Sequence, residues 1–240
     1  MDFTPELRAM ALEQVSDIKL GPIFTPRVST EDPQYRATAQ CPSATGGTNI
    51  PGGPVLDPES GILYVQSRKA CTGGVLGPAS ERDDGTPGQN PGSTVVDFTS
   101  AQGGGFGSIQ GVPIFKPPYG RITAIDMNTG ETLWWIPNGD TPEEIANNPL
   151  LEGVDLPNTG RQSDATVLVT RSLLMFAEGR GGQAKWFGVD KDTGERIGEV
   201  EIPASSSTAP MTFLHEGVQY IVVPIAGNGV PGSLAALRLP

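Results

Sequence analysis

The chain has one histidine and two cysteines among 240 residues, its aromatic content is only 6%, and basic residues are outnumbered 16 to 27 by acidic ones. Each shortage excludes something. The one histidine, His215, has nothing complementary near it in sequence, and there is no Ser/His/Asp set and no Cys/His metal spacing. A formal charge of -11 repels a nucleic-acid phosphate backbone or an anionic lipid surface, so neither is an expected partner. No run approaches the roughly 18 consecutive apolar residues of a spanning helix, so no membrane span is expected. The first residues lack the basic-then-apolar layout of a secretory signal, as expected of a mature chain or of one whose start lies elsewhere. Cys41 and Cys71 fall in Gly/Pro/Ser-rich segments rather than in a Cys-x-x-Cys pair, which leaves a disulfide and two free thiols both open.

What the chain does have is glycine, 32 residues, and proline, 23 residues, which imply abundant loops with β-structure between them. The stretch from Gly120 to Trp134 shows the plan. Ile122 and Ala124 alternate as in a half-buried strand. Asp126, Asn128 and Gly130 supply the side-chain bonds and positive φ of a tight turn, and Leu133 and Trp134 restart an apolar strand. A second copy, Asp190-Lys191-Asp192-Thr193-Gly194-Glu195, keeps Asp, Thr, Gly and Glu at the same offsets but has Gly198 in place of the tryptophan. Three apolar runs, Ile62–Val65, Leu173–Phe176 and Tyr220–Val223, read as strands buried on both faces. Each is followed by a second strand, at Ile122–Asp126, Trp186–Asp190 and Leu234–Leu239. One blade plan used three times accounts for this, with a long insertion at 66–119 in the first copy. That insertion is expected to be a surface excursion or a lid, since it is Gly/Pro-rich with few apolar anchors. One helix is expected over residues 4–18, capped by Thr4, started by Pro5, and apolar along Leu7, Met10, Ala11, Val15 and Ile18.

Taken alone, the residues give no catalytic constellation. His215 falls at a hairpin tip, an exposed position. Asp83-Asp84-Gly85 lacks the further oxygen ligands of a calcium loop, and the glycines at 103–105 are not followed by the helix and lysine of a phosphate cradle.

The turn pattern, with Ser43–Gly53, Asp57–Val65, Lys116–Gly120, Pro137–Asp140 and Ala209–Phe213, resembles the late blades of the pyrroloquinoline-quinone (PQQ) dependent dehydrogenases, of the membrane glucose dehydrogenase and alcohol-oxidising type. The resemblance implies an all-β fold: an incomplete β-propeller of about three four-stranded blades, with a short N-terminal helix and long loop insertions. It implies that each turn tryptophan packs on the neighbouring blade. It also implies PQQ and calcium as cofactors, a sugar or alcohol substrate, a quinone electron acceptor and a periplasmic location. Residue by residue, Asn49 aligns with a group beside the quinone, Gln66 with a quinone-contacting asparagine, and Arg161 opens the next inner strand. Ile50 departs from the tryptophan of many members, and Ala226–Gly229 from a Gly-Gly-His loop. The family's aspartate base has no counterpart here, so no catalytic residue is assigned.

On this basis the chain is organised as a single partial propeller. Residues 1–42 form the helix and lead-in, 43–137 a blade with its insertion, 138–203 a second blade region and 204–240 a terminal blade. Missing N-terminal blades, or self-association through exposed blade edges, are the expected partners. A non-catalytic propeller-like module, or a split half completed by a partner chain, are the alternatives.

Overall fold

The computed structural model describes residues 3–43, 46–48, 52–78, 98–102, 106–227 and 229–238. Two compact units divide the chain: residues 1–45 with 70–115, and residues 46–69 with 116–240. In chain order the elements begin with helix α1 (Pro5–Gln14) and strands β1 (Ile18–Lys19), β2 (Val28–Ser29), β3 (Ala37–Gln40), β4 (Val55–Asp57) and β5 (Ile62–Arg68). Next come β6 (Thr72–Pro78), β7 (Phe98–Gln102), β8 (Ser108–Ile109), β9 (Val112–Pro113), β10 (Gly120–Asp126), β11 (Thr132–Pro137) and the short helix α2 (Glu143–Ala146). The last are β12 (Thr166–Val169), β13 (Leu173–Ala177), β14 (Lys185–Asp190), β15 (Arg196–Glu201), β16 (Met211–His215), β17 (Val218–Gly227) and β18 (Val230–Arg238).

In the first unit, Thr4 Oγ1 accepts from the Leu7 N–H at 3.1 Å and starts α1 as expected. The helix stops at Gln14, short of residue 18, because Ile18 and Lys19 pair in parallel with Ala37 and Thr38. A β-ladder takes the backbone groups that a further turn of helix would have used. Ile18, Val28, Ala37, Val75 and Phe106 form the core beneath a five-stranded sheet made by β1, β2, β3, β6 and β7. Cys41 and Cys71 are joined by a disulfide, which resolves the choice the sequence left open. The segment 66–119, expected as a structureless surface excursion or a lid, thus differs from a loop without strands. Its described parts carry strands, because β6 finds partners in β2 and β3, far upstream in sequence.

The second unit is three sheets. Their orders are β4-β5-β10-β11, β12-β13-β14-β15 and β16-β17-β18. The three apolar runs are the second strands of these sheets, and each pairs antiparallel with the strand expected to follow it: β5 with β10, β13 with β14, β17 with β18. The third sheet has three described strands, not four, since the fourth position is filled in the other two by a strand following an Asp-Thr-Gly turn. His215 ends β16 beside Glu216 and Gly217, whose φ values of 50° and 81° make the tight hairpin turn, and it is exposed as expected.

The sheets stack face to face. Tyr64, Ile122 and Ala124 of the first meet Val167, Leu174, Phe176, Phe187 and Val189 of the second. Leu168, Ala177 and Trp186 on the opposite face of the second meet Val223 and Ile225 of the third. Both turn motifs form as expected: Asp126 Oδ1 accepts from the Asn128 N–H at 2.7 Å, and Asp190 Oδ1 from the Asp192 and Thr193 N–H groups at 2.9 Å. These bonds hold both carboxyls below the usual range.

The second turn is also the joint between sheets. Trp134 lies against it, so close that a Cβ on Gly194 would fall 2.8 Å from the indole, and Gly194 has φ +76°. Tyr64 donates its hydroxyl to the Lys191 carbonyl at 3.0 Å, and Lys191 Nζ reaches Asp57 Oδ2 at 2.6 Å. Gly198, at the offset of the tryptophan, has open space around its Cβ position, so the corresponding contact is missing there.

Gly194→Ala is expected to destabilise the chain by about 2–4 kcal/mol, combining a strained φ with overpacking against Trp134. Gly198→Ala should stay within about 0.5 kcal/mol. Urea unfolding of the two variants compares them, and equal midpoints would remove the Trp134 joint from the account.

Lys191 beside Asp57, helped by the Ser60 hydroxyl, holds the Asp57 carboxyl down at about 2. A carboxyl depressed on folding adds stability that is complete above about pH 4 and is lost as pH falls toward about 2. Denaturation curves collected over that window should therefore fall less steeply for Asp57→Asn than for the parent chain. Parallel curves would show that the ion pair adds nothing.

Candidate functional site

The Asp-Thr-Gly turns lie at one end of the first two sheets. The registers Gly120↔Arg68, Arg121↔Pro137, Thr166↔Ala177 and Lys185↔Glu201 put the connecting loops at the other end. Backbone bonds lace those loops: Tyr119 N–H to the Thr159 carbonyl at 2.7 Å, Asn138 N–H to that of Gly120 at 2.9 Å, and Arg161 N–H to that of Asn138 at 2.7 Å.

Glycine makes this lacing possible. A Cβ on Gly120 would stand 2.0 Å from the Arg161 carbonyl oxygen, and one on Gly179, whose φ is +83°, 1.8 Å from that of Asp164. The segment 161–165 runs through the slot these residues leave open. At each position a side chain would push backbone against backbone.

Polar side chains are buried along this slot. Asn138 Nδ2 lies 3.3 Å from the Arg161 carbonyl and 3.2 Å from Ser163 Oγ, while its buried Oδ1 has no hydrogen-bond partner among the described residues. Ser163 donates its hydroxyl to the Glu178 carbonyl. The Glu178 side chain, 1% exposed, accepts from the Asp140 N–H at 3.2 Å and from the Gln183 N–H at 2.9 Å. Burial pushes its carboxyl up, and the two N–H donors and the nearby Arg161 charge work against that rise. Glu178 thereby ties the loop that leaves the first sheet to the loop after β13. Arg68 Nε lies 3.0 Å from Asp164 Oδ1, an ion pair at this end of the sheets.

Of the residues singled out by resemblance, Gln66 is 1% exposed on the same face of β5 as Tyr64, opposite Ile122. Its Nε2 is 3.5 Å from the Cβ position of Gly52, which itself crowds the Ala165 carbonyl, so Gln66 sits beside the end of the 161–165 segment. Arg161 begins that segment; its side chain is 27% exposed and lies 3.7 Å from Glu144. Asn49 lies outside the described residues, as do Asp83–Gly85 and the glycines at 103–105. Glu178 was missed in the sequence, where the only signal was a carboxylate directly after a buried apolar strand and before a glycine-rich loop.

Stacked antiparallel sheets, Asp-Thr-Gly turns and a tryptophan docked on the next turn define a quinoprotein-type β-propeller. The chain belongs to the PQQ family: residues 1–221 match the family model described as glucose/ethanol/alcohol dehydrogenase, beta-propeller domain. It is 28% identical over 211 residues to the glycerol dehydrogenase large subunit of Gluconobacter thailandicus, covering 78% of this chain and 27% of that one. It is 29% identical over 127 residues to the quinate/shikimate dehydrogenase (quinone) of Acinetobacter baylyi, covering 51% and 15%. The crystal structure of quinohemoprotein alcohol dehydrogenase from Comamonas testosteroni shares the fold, with a TM-score of 0.50 and 17% identity over 83% of this chain and 27% of that chain. The chain therefore spans about a quarter or less of the length of these relatives.

Glu178→Gln would turn an amide NH₂ toward a backbone N–H and is expected to cost about 1–3 kcal/mol, the usual range for a buried donor left unmet. Glu178→Ala should cost at least as much. Urea unfolding measures both, and a Gln variant as stable as the parent would mean that the carboxylate is not the tie between the two loops.

Proposed function

We propose that the chain supplies later blades of a quinoprotein dehydrogenase that oxidises a sugar or alcohol hydroxyl and passes the electrons to a quinone acceptor. The observation that carries this is Arg161, a partly open cation at the loop end of the sheets. PQQ is a planar polycarboxylate. Arg161 suits one of its carboxylates, with Glu144 competing for the guanidinium from 3.7 Å. When bound, the quinone supplies the oxidant for the substrate carbon. This chain's residues hold and orient: Asn138 braces the 161–165 segment through the Arg161 and Ser163 carbonyls, with Gln66 buried near the end of that segment.

Calcium is not assigned to any residue. Among the described residues no group of three or more His, Cys, Asp or Glu side chains could hold a metal ion. A periplasmic location is part of the proposal, supported by the Cys41–Cys71 disulfide, which persists in oxidising compartments. Among the described residues no helix is long and apolar enough to cross a membrane.

A non-catalytic binding module is the alternative, favoured by the state of Asp164 and Glu178, a half-buried and a buried carboxylate at this end. Asp164 is paired with Arg68 and Glu178 is tied by two N–H donors, so neither stands ready as a base. A split half completed by a partner chain shares that feature.

Titration with PQQ, followed by quenching of Trp134, Trp135 and Trp186, tests the proposal. Saturable binding is expected, weakened at least about tenfold by Arg161→Ala, the size of one lost charge-assisted hydrogen bond. Gln66→Ala should weaken it by no more than about 1–3 kcal/mol. No saturable quenching would refute the cofactor-holding role. Dye reduction with glucose or simple alcohols would show a more complete site than these residues make.

A further inference from the structure

The first unit carries a cleft that the proposed function does not use. Its volume is about 450 Å³, and its lining is chiefly polar, with Asp17, Ser29, Asp32, Gln34, Tyr35 and Arg36 among the residues that form it. Every lining residue belongs to that one unit. The local fold fixes the walls. Strand β1 begins directly after Asp17 and β3 directly after Arg36, and the parallel register Ile18↔Ala37 sets the two side by side. Arg36 Nε then reaches both Asp17 carboxylate oxygens at 2.9 Å, and its backbone N–H donates to the Asp17 carbonyl at 3.0 Å. In the turn before β3, Asp32 Oδ1 accepts from the Gln34 N–H at 2.9 Å and from the Tyr35 N–H at 2.8 Å. These bonds hold the Asp32 carboxyl below its usual range, so it stays ionised. Gln34 Nε2 donates to the Tyr35 hydroxyl at 2.9 Å, and Tyr35 itself packs in part against the core of the unit.

Charge decides what such a cleft can take. An anion would face the carboxylates of Asp17 and Asp32, and a cation would face the Arg36 guanidinium. The charges also offset one another, Arg36 against Asp17 and Lys19 against Asp32, so neither sign of ligand is selected. A neutral molecule rich in hydroxyls meets partners of both kinds. A carboxylate keeps lone pairs for adjacent hydroxyls beyond those its present donors use, the guanidinium keeps N–H donors, and the Gln34 amide and Ser29 hydroxyl serve single hydroxyls. Tyr35 adds a ring surface beside them, the usual mixture of a site for a small polar ligand. The polar lining also sets this cleft apart from the joints between sheets, which bury valine, leucine, isoleucine and aromatic side chains. We infer that the cleft is a binding site for a neutral sugar of one ring, held by residues other than those assigned to PQQ.

Saturation-transfer NMR on the full chain, without PQQ, tests this with glucose, gluconate and glucosamine as neutral, anionic and cationic probes of similar size. Glucose is expected to bind at millimolar concentration, and more tightly than either charged probe. Asp32→Asn keeps an acceptor for the Gln34 and Tyr35 N–H groups, so the turn survives, and glucose binding should weaken about tenfold, the size of one lost hydrogen bond to a charged group. Gln34→Ala alters an exposed side chain and should weaken it about threefold, as for one neutral hydrogen bond. No transfer to glucose at tens of millimolar would overturn the inference, as would tighter binding of gluconate or glucosamine. Glucose binding that is unchanged in both variants but lost in Arg161→Ala would also overturn it, and would place the sugar at the loop end of the second unit. PQQ takes no part in these measurements, so the inference and the proposed function fail separately.

Discussion

The joint at the second turn is the contact on which the second unit depends. A hairpin turn is normally a solvent feature, yet here the Asp190–Glu195 turn is the part of the second sheet that the first sheet grips. Trp134 covers its glycine, Tyr64 caps a carbonyl, and Asp57 receives the only ammonium the turn offers. Without it, the apolar faces of the two sheets could slide. The hydrophobic contact between them is non-directional, whereas the hydroxyl, the ion pair and the glycine each admit one position. Among the described residues the second and third sheets have no such grip and rely on Trp186, Ala177 and their neighbours for burial, with Thr166 and Ser206 adding a buried hydroxyl pair at 2.7 Å.

The opposite end is built on the reverse principle. Instead of one large side chain against one glycine, several glycines let backbone lie on backbone, and the side chains nearby satisfy the loops rather than fill space. Glu178 and Asn138 act within that frame. A carboxylate and an amide serve better than apolar residues there because the loops present N–H and carbonyl groups that have no ladder to join. The groups that such an end can offer a ligand are then few: those, like Arg161, whose bonding to the loops is made by the backbone and whose side chain remains partly open.

Much of this was legible in the residues. Asp126, Gly130, Asp190 and Gly194 announce turns because positive φ and side-chain acceptors are local properties. The runs at Ile62, Leu173 and Tyr220 announce central strands because an unbroken apolar run fits a strand with neighbours on both sides, although of the three only the Leu173 run packs against a described sheet on both faces. What lay out of reach depends on partners distant in sequence. The end of α1 at Gln14 follows from a pairing with Ala37, and the strands of the insertion follow from β2 and β3. Glu178 and Gln66 are polar types that a sequence places on the surface by default, and only the packed loops show them inside. The third sheet looked four-stranded because its copies are, and it has three strands among the described residues.

The Cys41–Cys71 bond has a topological consequence. The chain leaves the first unit after residue 45, enters the second as β4 and β5, and returns at residue 70, so the bond spans both crossings and closes a covalent loop with a sequence separation of 30. The strands that carry Asp57, Tyr64 and Gln66 are therefore threaded into the second unit as a tethered loop, not as a length of open chain. A peptide-bond cut within that loop would leave both ends attached to the rest of the molecule, and only reduction would let the fragments part.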